Sequence, residues 1–162
     1  MKRFVLILAA LLFISAPSYA AMTCVDDGIT HLGFGEEYDF SMTCTFDTTP
    51  GTAVAAFPAT IQSYLNLGYY VYTFTIIPGT TGPTDNSDLQ IKDSVGRTII
   101  SASGNGANVI DNATITSVIY GDGPTAGSTN HYPKGSHYAW TITVTNNAVN
   151  NSSFKMLLQV GK

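Results

Sequence analysis

The sequence predicts an all-β fold, a single antiparallel β-sandwich of seven to eight strands, on three observations. Apolar and polar residues alternate with period two in several short segments, the pattern of strands with one buried face. Clusters of Gly, Pro, Asn and Asp punctuate those segments at short intervals, as turns do in sandwiches and barrels. Charged residues make up only 11% of the 162 residues, against about 25% in an average globular domain. The polar surface therefore falls to Thr, Ser and Asn, and the chain is rich in the β-branched and aromatic residues that fit a pleated, half-buried surface. The same scarcity excludes other classes. A coiled coil needs runs of Glu and Lys, and nucleic-acid binding needs a basic face. Seven Lys and Arg against eleven acids cannot build one.

In chain order, residues 1–20 read as a secretory signal peptide. Lys2 and Arg3 form the basic start, an apolar run begins at Phe4, and Ser18-Tyr19-Ala20 is the small-x-small exit. The apolar run is shorter than the roughly 20 residues that span a bilayer. Cleavage is placed after Ala20, because a cut one residue later would put the bulky Tyr19 three positions back. Lys2 and Arg3 leave with the leader, so residues 21–162 carry five basic residues against all eleven acids. They form one domain with no membrane attachment after cleavage. The expected location is secreted or periplasmic, with a virion or a cell surface as destination.

Residues 21–36 read as an N-terminal extension. Cys24 and Cys44 are the only cysteines; in an oxidising compartment they are expected to form a disulfide tying that extension to the first strand. That strand is residues 37–46, in which Tyr38, Phe40, Met42, Cys44 and Phe46 share a face. Pro50 and Gly51 turn the chain, and residues 53–66 are the one stretch that could hold a short helix. Residues 69–77 are dense in aromatic and β-branched side chains and read as a central strand. Residues 87–101 read as a β-hairpin about Ser94-Val95-Gly96, with Leu89 and Ile91 inward. Residues 102–113 read as loop, 114–120 as a strand, and a second long loop reaches about residue 135. Residues 137–160 are predicted to be a closing hairpin. Tyr138, Trp140, Ile142 and Val144 line one strand face, and Phe154, Met156, Leu158 and Val160 line the other.

Within 77–96, Pro83-Thr84-Asp85-Asn86 leads into Asp88-Leu89-Gln90-Ile91-Lys92-Asp93-Ser94-Val95-Gly96. This resembles a pattern in small, largely uncharacterised phage and prophage proteins. In them a Pro-Thr-Asp-Asn loop precedes an Asp-x-x-Ile/Leu-x-Asp-x-x-Gly hairpin, a variable loop, and two closing strands around a Thr-Asn-Asn-Ala-like turn. Here that turn is Thr145-Asn146-Asn147-Ala148, and the similarity covers roughly residues 65–160. The resemblance implies a small all-β, virion-associated module with no catalytic residues to carry over. The leader departs from it, since such proteins usually lack one, and moves the expected role toward a host surface, the periplasm or the exterior.

No catalytic residues are assigned. There is no Gly-x-Ser-x-Gly elbow, and both cysteines are committed to each other. Asp85 and Asp88 could offer oxygen ligands to Ca²⁺, but Asp and Asn in turns also bond their own backbone, and no cofactor or metal is assigned. His131, Tyr132 and His137, with Tyr120, form the candidate contact surface on the 121–136 loop, because loops held by a rigid scaffold carry recognition. The expected role is that of a non-enzymatic structural or interaction protein, whose partner is another protein or a second copy of itself. The alternative is a secreted carbohydrate-binding module on a cell-surface glycan, for which Tyr132 and Trp140 are the residues to substitute, Trp140 being expected to lie buried and to act indirectly.

Overall fold

The computed structural model of the chain describes residues 20–33, 35–47, 51–101, 106–119 and 138–162. The fold is predominantly β. Its strands are β1 (Ala20–His31), β2 (Glu37–Phe46), β3 (Gly51–Ala56), β4 (Tyr70–Pro78), β5 (Asp88–Asp93), β6 (Thr98–Ile100), β7 (Thr116–Ile119), β8 (Trp140–Asn147) and β9 (Ser153–Gly161). Among the described residues one helix, α1 (Ala59–Asn66), joins β3 to β4. The strands form a single mixed sheet in the order β6-β5-β8-β3-β1-β2-β9-β4-β7.

That sheet divides naturally at β1. Ala20 and Ala21 pair in parallel with Ala53 and Val54 of β3. From Met22 onward β1 pairs antiparallel with β2 instead. The half β6-β5-β8-β3 and the half β2-β9-β4-β7 thus meet through one strand. Residues 21–36, expected to be an extension, instead supply most of that strand. Their pattern is broken by a bulge between Asp26 and Gly28, where Gly28 takes φ +136°. A period-two reading fails at such an extra residue.

Cys24 and Cys44 lie directly opposite each other in the β1–β2 register and are disulfide-bonded. Cys44 is wholly buried. The expected faces of β2, β5, β8 and β9 recur as alternating burial, except that Tyr138, expected inward, lies ahead of β8 and is exposed, and the core draws on both halves. Phe40, Met42, Phe74 and Phe154 come from one half, and Leu89, Ile91, Trp140 and Ile142 from the other.

Three expectations change. Among the described residues there are nine strands rather than seven or eight, because bulged β1 and Ala-rich β3 lack a regular apolar alternation, and the β1–β3 pair is parallel. Residues 69–77 do form β4, but it is next to the end of the order, between β9 and β7. The closing strands β8 and β9 do not pair with each other. β8 lies between β3 and β5, and β9 between β2 and β4. Alternation specifies which face a strand buries but not its neighbour, and the connection here is a corner rather than a hairpin turn. After Asn147 the chain crosses to the end of β2, where the Asn151 and Phe46 N–H groups donate to Asp47 and Ser152 carbonyls at 3.2 and 2.9 Å.

Asn147, itself buried, holds that corner. Its Oδ1 accepts from the Thr84 and Val149 N–H groups, both at 3.1 Å. Its Nδ2 donates to the Val149 carbonyl and the Ser152 hydroxyl at 3.1 and 3.0 Å. The segment α1 is short and amphipathic, with Ile61 and Leu65 buried one turn apart. Pro58 precedes it, where a missing N–H costs nothing, and Gly68 ends it at φ +83°, the left-handed conformation glycine adopts freely. No helix among the described residues is long and apolar enough to cross a membrane.

Two stability measurements check this account. Replacing Cys24 and Cys44 together by Ala is expected to cost about 3 kcal/mol in denaturant unfolding, from the lost restraint on the unfolded chain. Asn147→Ala strands several buried backbone and hydroxyl groups at once, so it is expected to cost about 2–3 kcal/mol, whereas Asn150→Ala at an exposed position is expected to cost under about 1 kcal/mol.

Candidate contact surface

Tyr120, His131, Tyr132 and His137 lie outside the described residues. The segment that contains them is bounded by β7, whose last residue is Ile119, and by Tyr138, which precedes β8. Tyr138 is exposed, and the Arg97 guanidinium carbon lies 5.5 Å from its ring centroid. The Tyr138 carbonyl accepts from Gln62 Nε2 at 3.2 Å, and the next-but-one N–H, that of Trp140, donates to Gln62 Oε1 at 2.8 Å. Gln62 of α1 thus stands in for a neighbouring strand at the start of β8.

Arg97 is itself held from the β5–β6 turn. Its Nε donates to Asp93 Oδ2 at 2.6 Å, while Asp93 Oδ1 accepts from the Arg97 and Val95 N–H groups at 2.8 and 3.1 Å. Burial alone would raise the Asp93 carboxyl, but the Arg97 side chain, these two N–H groups and the Arg97 charge outweigh it and hold it below the usual carboxylate range. The Asp93 side chain is fully buried and that of Arg97 mostly exposed.

Asp85 and Asp88 are engaged by protein donors. Asp88 accepts from the Asn108 N–H at 2.9 Å and from Asn146 Nδ2 at 2.8 Å, and Asp85 accepts from the Asn112 N–H at 3.0 Å. Asp111 beside them accepts from the Ala113 and Thr114 N–H groups, which pull its carboxyl down. These carboxylates tie residues 106–114 to β5, the turn chemistry weighed against Ca²⁺. Among the described residues no group of three or more His, Cys, Asp or Glu is placed to hold a metal ion.

Trp140 is wholly buried, as expected, and edge-on to Phe57 at 5.6 Å between centroids, so no glycan can stack on it. Its Nε1 has no hydrogen-bond partner among the described residues.

A second aromatic grouping was not foreseen. Tyr38 of β2 contacts His31 at 5.0 Å, Tyr64 of α1 at 5.3 Å and Tyr69 at 5.7 Å, and Tyr64 also meets Phe40 at 5.0 Å. Lys162 Nζ sits 5.1 Å from the Tyr69 ring centroid and 3.4 Å from Glu36 Oε2. Burial, with the Glu36 charge and a hydrogen bond to Tyr38, pushes the Tyr69 phenol up, so it stays protonated as a donor. Tyr69 is buried, Tyr38 and Tyr64 half-buried, and His31 exposed. The cluster is thus a packed core edge that surfaces at His31 and Tyr38. Its aromatic members come from two stretches, residues 31–40 and 64–69, and within them only the shared face of Tyr38 and Phe40 follows from local alternation.

No family model, curated protein or solved structure matches this chain.

The Asp93 geometry predicts a pH dependence. The depressed folded-state carboxyl contributes stability above its unfolded value of 3.8, and that contribution is lost as pH falls through the lower folded value. Denaturant titrations from pH 7 downward are expected to show the wild type losing stability below about pH 4, with Asp93→Asn less stable at pH 7 and flatter across that window.

Proposed function

We propose that this chain is an exported, non-enzymatic structural or interaction protein, phage-related in kind, that acts by assembly or by attachment to a surface. Its two half-sheets are read as the layers of a β-sandwich; a core shared between them and a bulged strand passing from one to the other fit that architecture. The observation that carries the export reading is the Cys24–Cys44 disulfide close behind a leader-like segment, since such bonds persist in oxidising compartments. Support for a contact role comes from the outward faces. Thr43, Thr45, Thr73 and Thr75 point away from the core of one half and Thr141, Thr143 and Thr145 from that of the other, alternating with buried neighbours. Contacts made by such a face vary little with salt, because few charges are there to be screened.

A second reading, a secreted carbohydrate-binding module, is favoured by the aromatic edge at His31 and Tyr38. On this reading Tyr38 takes the place of the buried Trp140 as the residue to test.

The deciding measurement is the state of the exported protein. Size-exclusion chromatography and electron microscopy are expected to show oligomers, or co-purification with particles or cell surfaces, little changed between 0.05 and 0.5 M salt at about a threefold difference in Debye length. A strict monomer that attaches to neither overturns the proposal. Glycan-array binding abolished by Tyr38→Ala or Tyr132→Ala would replace it with the second reading.

A further inference from the structure

The start of β1 carries a feature that the contact role does not use. The backbone nitrogen of Ala21 lies 3.1 Å from Asp47 Oδ2, and the Asp47 N–H donates back to the Ala21 carbonyl at 2.9 Å. Both residues are exposed. In the uncut chain that nitrogen is a neutral amide, and a carboxylate facing it makes one charge-assisted hydrogen bond.

We propose that the Ala20–Ala21 bond is a processing site, and that cutting it creates an ion pair between the new Ala21 α-ammonium and the Asp47 carboxylate. This rests on the reading of residues 1–20 as a leader. Hydrolysis takes up one water; Ala20 departs with the leader as a carboxylate, and the nitrogen stays on Ala21. As a free α-amino group, with an ordinary pKa of about 7.7–8.0, it is mostly protonated at pH 7. The cut removes the Ala20–Ala53 pairing and leaves Ala21 opposite Val54 as the remaining β1–β3 register pair. The new charge therefore arises where the joint has been shortened, facing an acid that the end of β2 already holds in position.

The same pairing orders the events. A peptidase binds its substrate as an extended strand through the backbone groups on either side of the scissile bond. In the folded chain Ala20 and Ala21 are paired with β3, and the Ala21 carbonyl accepts from Asp47. Cutting therefore precedes the docking of β1 on β3.

The test exports the full 162-residue chain, determines the N-terminus of the product, and compares it with the uncut chain refolded under oxidising conditions, each with and without Asp47→Asn. The product is expected to begin at Ala21. Asp47→Asn is expected to lower the folding constant of the cut chain about two- to fivefold more than that of the uncut chain, the size of an exposed ion pair, and the gap should close at 1 M salt. A product beginning elsewhere overturns the processing site while leaving export standing, and failure to be exported overturns the reading beneath it. A product beginning at Ala21 with equal losses in both forms overturns the ion pair.

Discussion

Everything in this fold depends on one strand having two loyalties. β1 begins as the parallel neighbour of β3 and continues as the antiparallel neighbour of β2, so neither half-sheet is complete without it. The change falls between Ala21 and Met22, ahead of the bulge, and β1 stays paired with β2 on both sides of that bulge. The bulge at Gly28 re-aims its later residues, and Asp27 there accepts from the Thr43 hydroxyl at 2.6 Å on the outward side. The Cys24–Cys44 bond then fixes the β1–β2 register at a directly opposed pair. A one-residue slip would turn Met42 and Phe46 outward along with the cysteine.

The low charge has its explanation in how the corners are built. Where strands end and the chain changes direction, backbone groups need partners that no neighbouring strand supplies. Amide and carboxylate side chains supply them. Asn147 does so between β8 and β9, Gln62 at the start of β8, Asp93 inside the β5–β6 turn and Asp88 under residues 106–114. Each replaces a missing strand partner, and most are paired with backbone rather than with an opposite charge. Asn residues add a second property, since Asn86, Asn108, Asn146 and Asn151 all take positive φ, a conformation that Asn tolerates better than most residues.

Local patterning made several elements legible: the faces of β2, β5, β8 and β9, the turn between β5 and β6, and the disulfide, which was expected from there being two cysteines behind a leader-like segment. Two strands escaped notice for different reasons. Gly51–Ala56 is mostly Ala and Thr, too weakly apolar to show alternation, and it forms because β8 and β1 flank it. Residues 20–31 alternate only until the bulge. Trp140 lies in the core, as its place on the buried face of β8 implied, with Phe57 edge-on to it. The aromatic edge around Tyr38 was invisible, because Tyr64 and Tyr69 reach it from beyond the β2–β3 connection.

By itself, then, the sequence determined the class of structure: period-two alternation, turn residues and scarce charge leave little other than β-strands with one buried face. Which strands become neighbours was decided only in three dimensions. A buried face is satisfied by any apolar layer opposite, so β8 and β9 alternate just as two strands of a hairpin would. They are parted because Asn147 can satisfy a corner and because β2 and β3 offer each its own edge. Pairing is a property of backbone hydrogen bonds between distant segments, and no single segment records it.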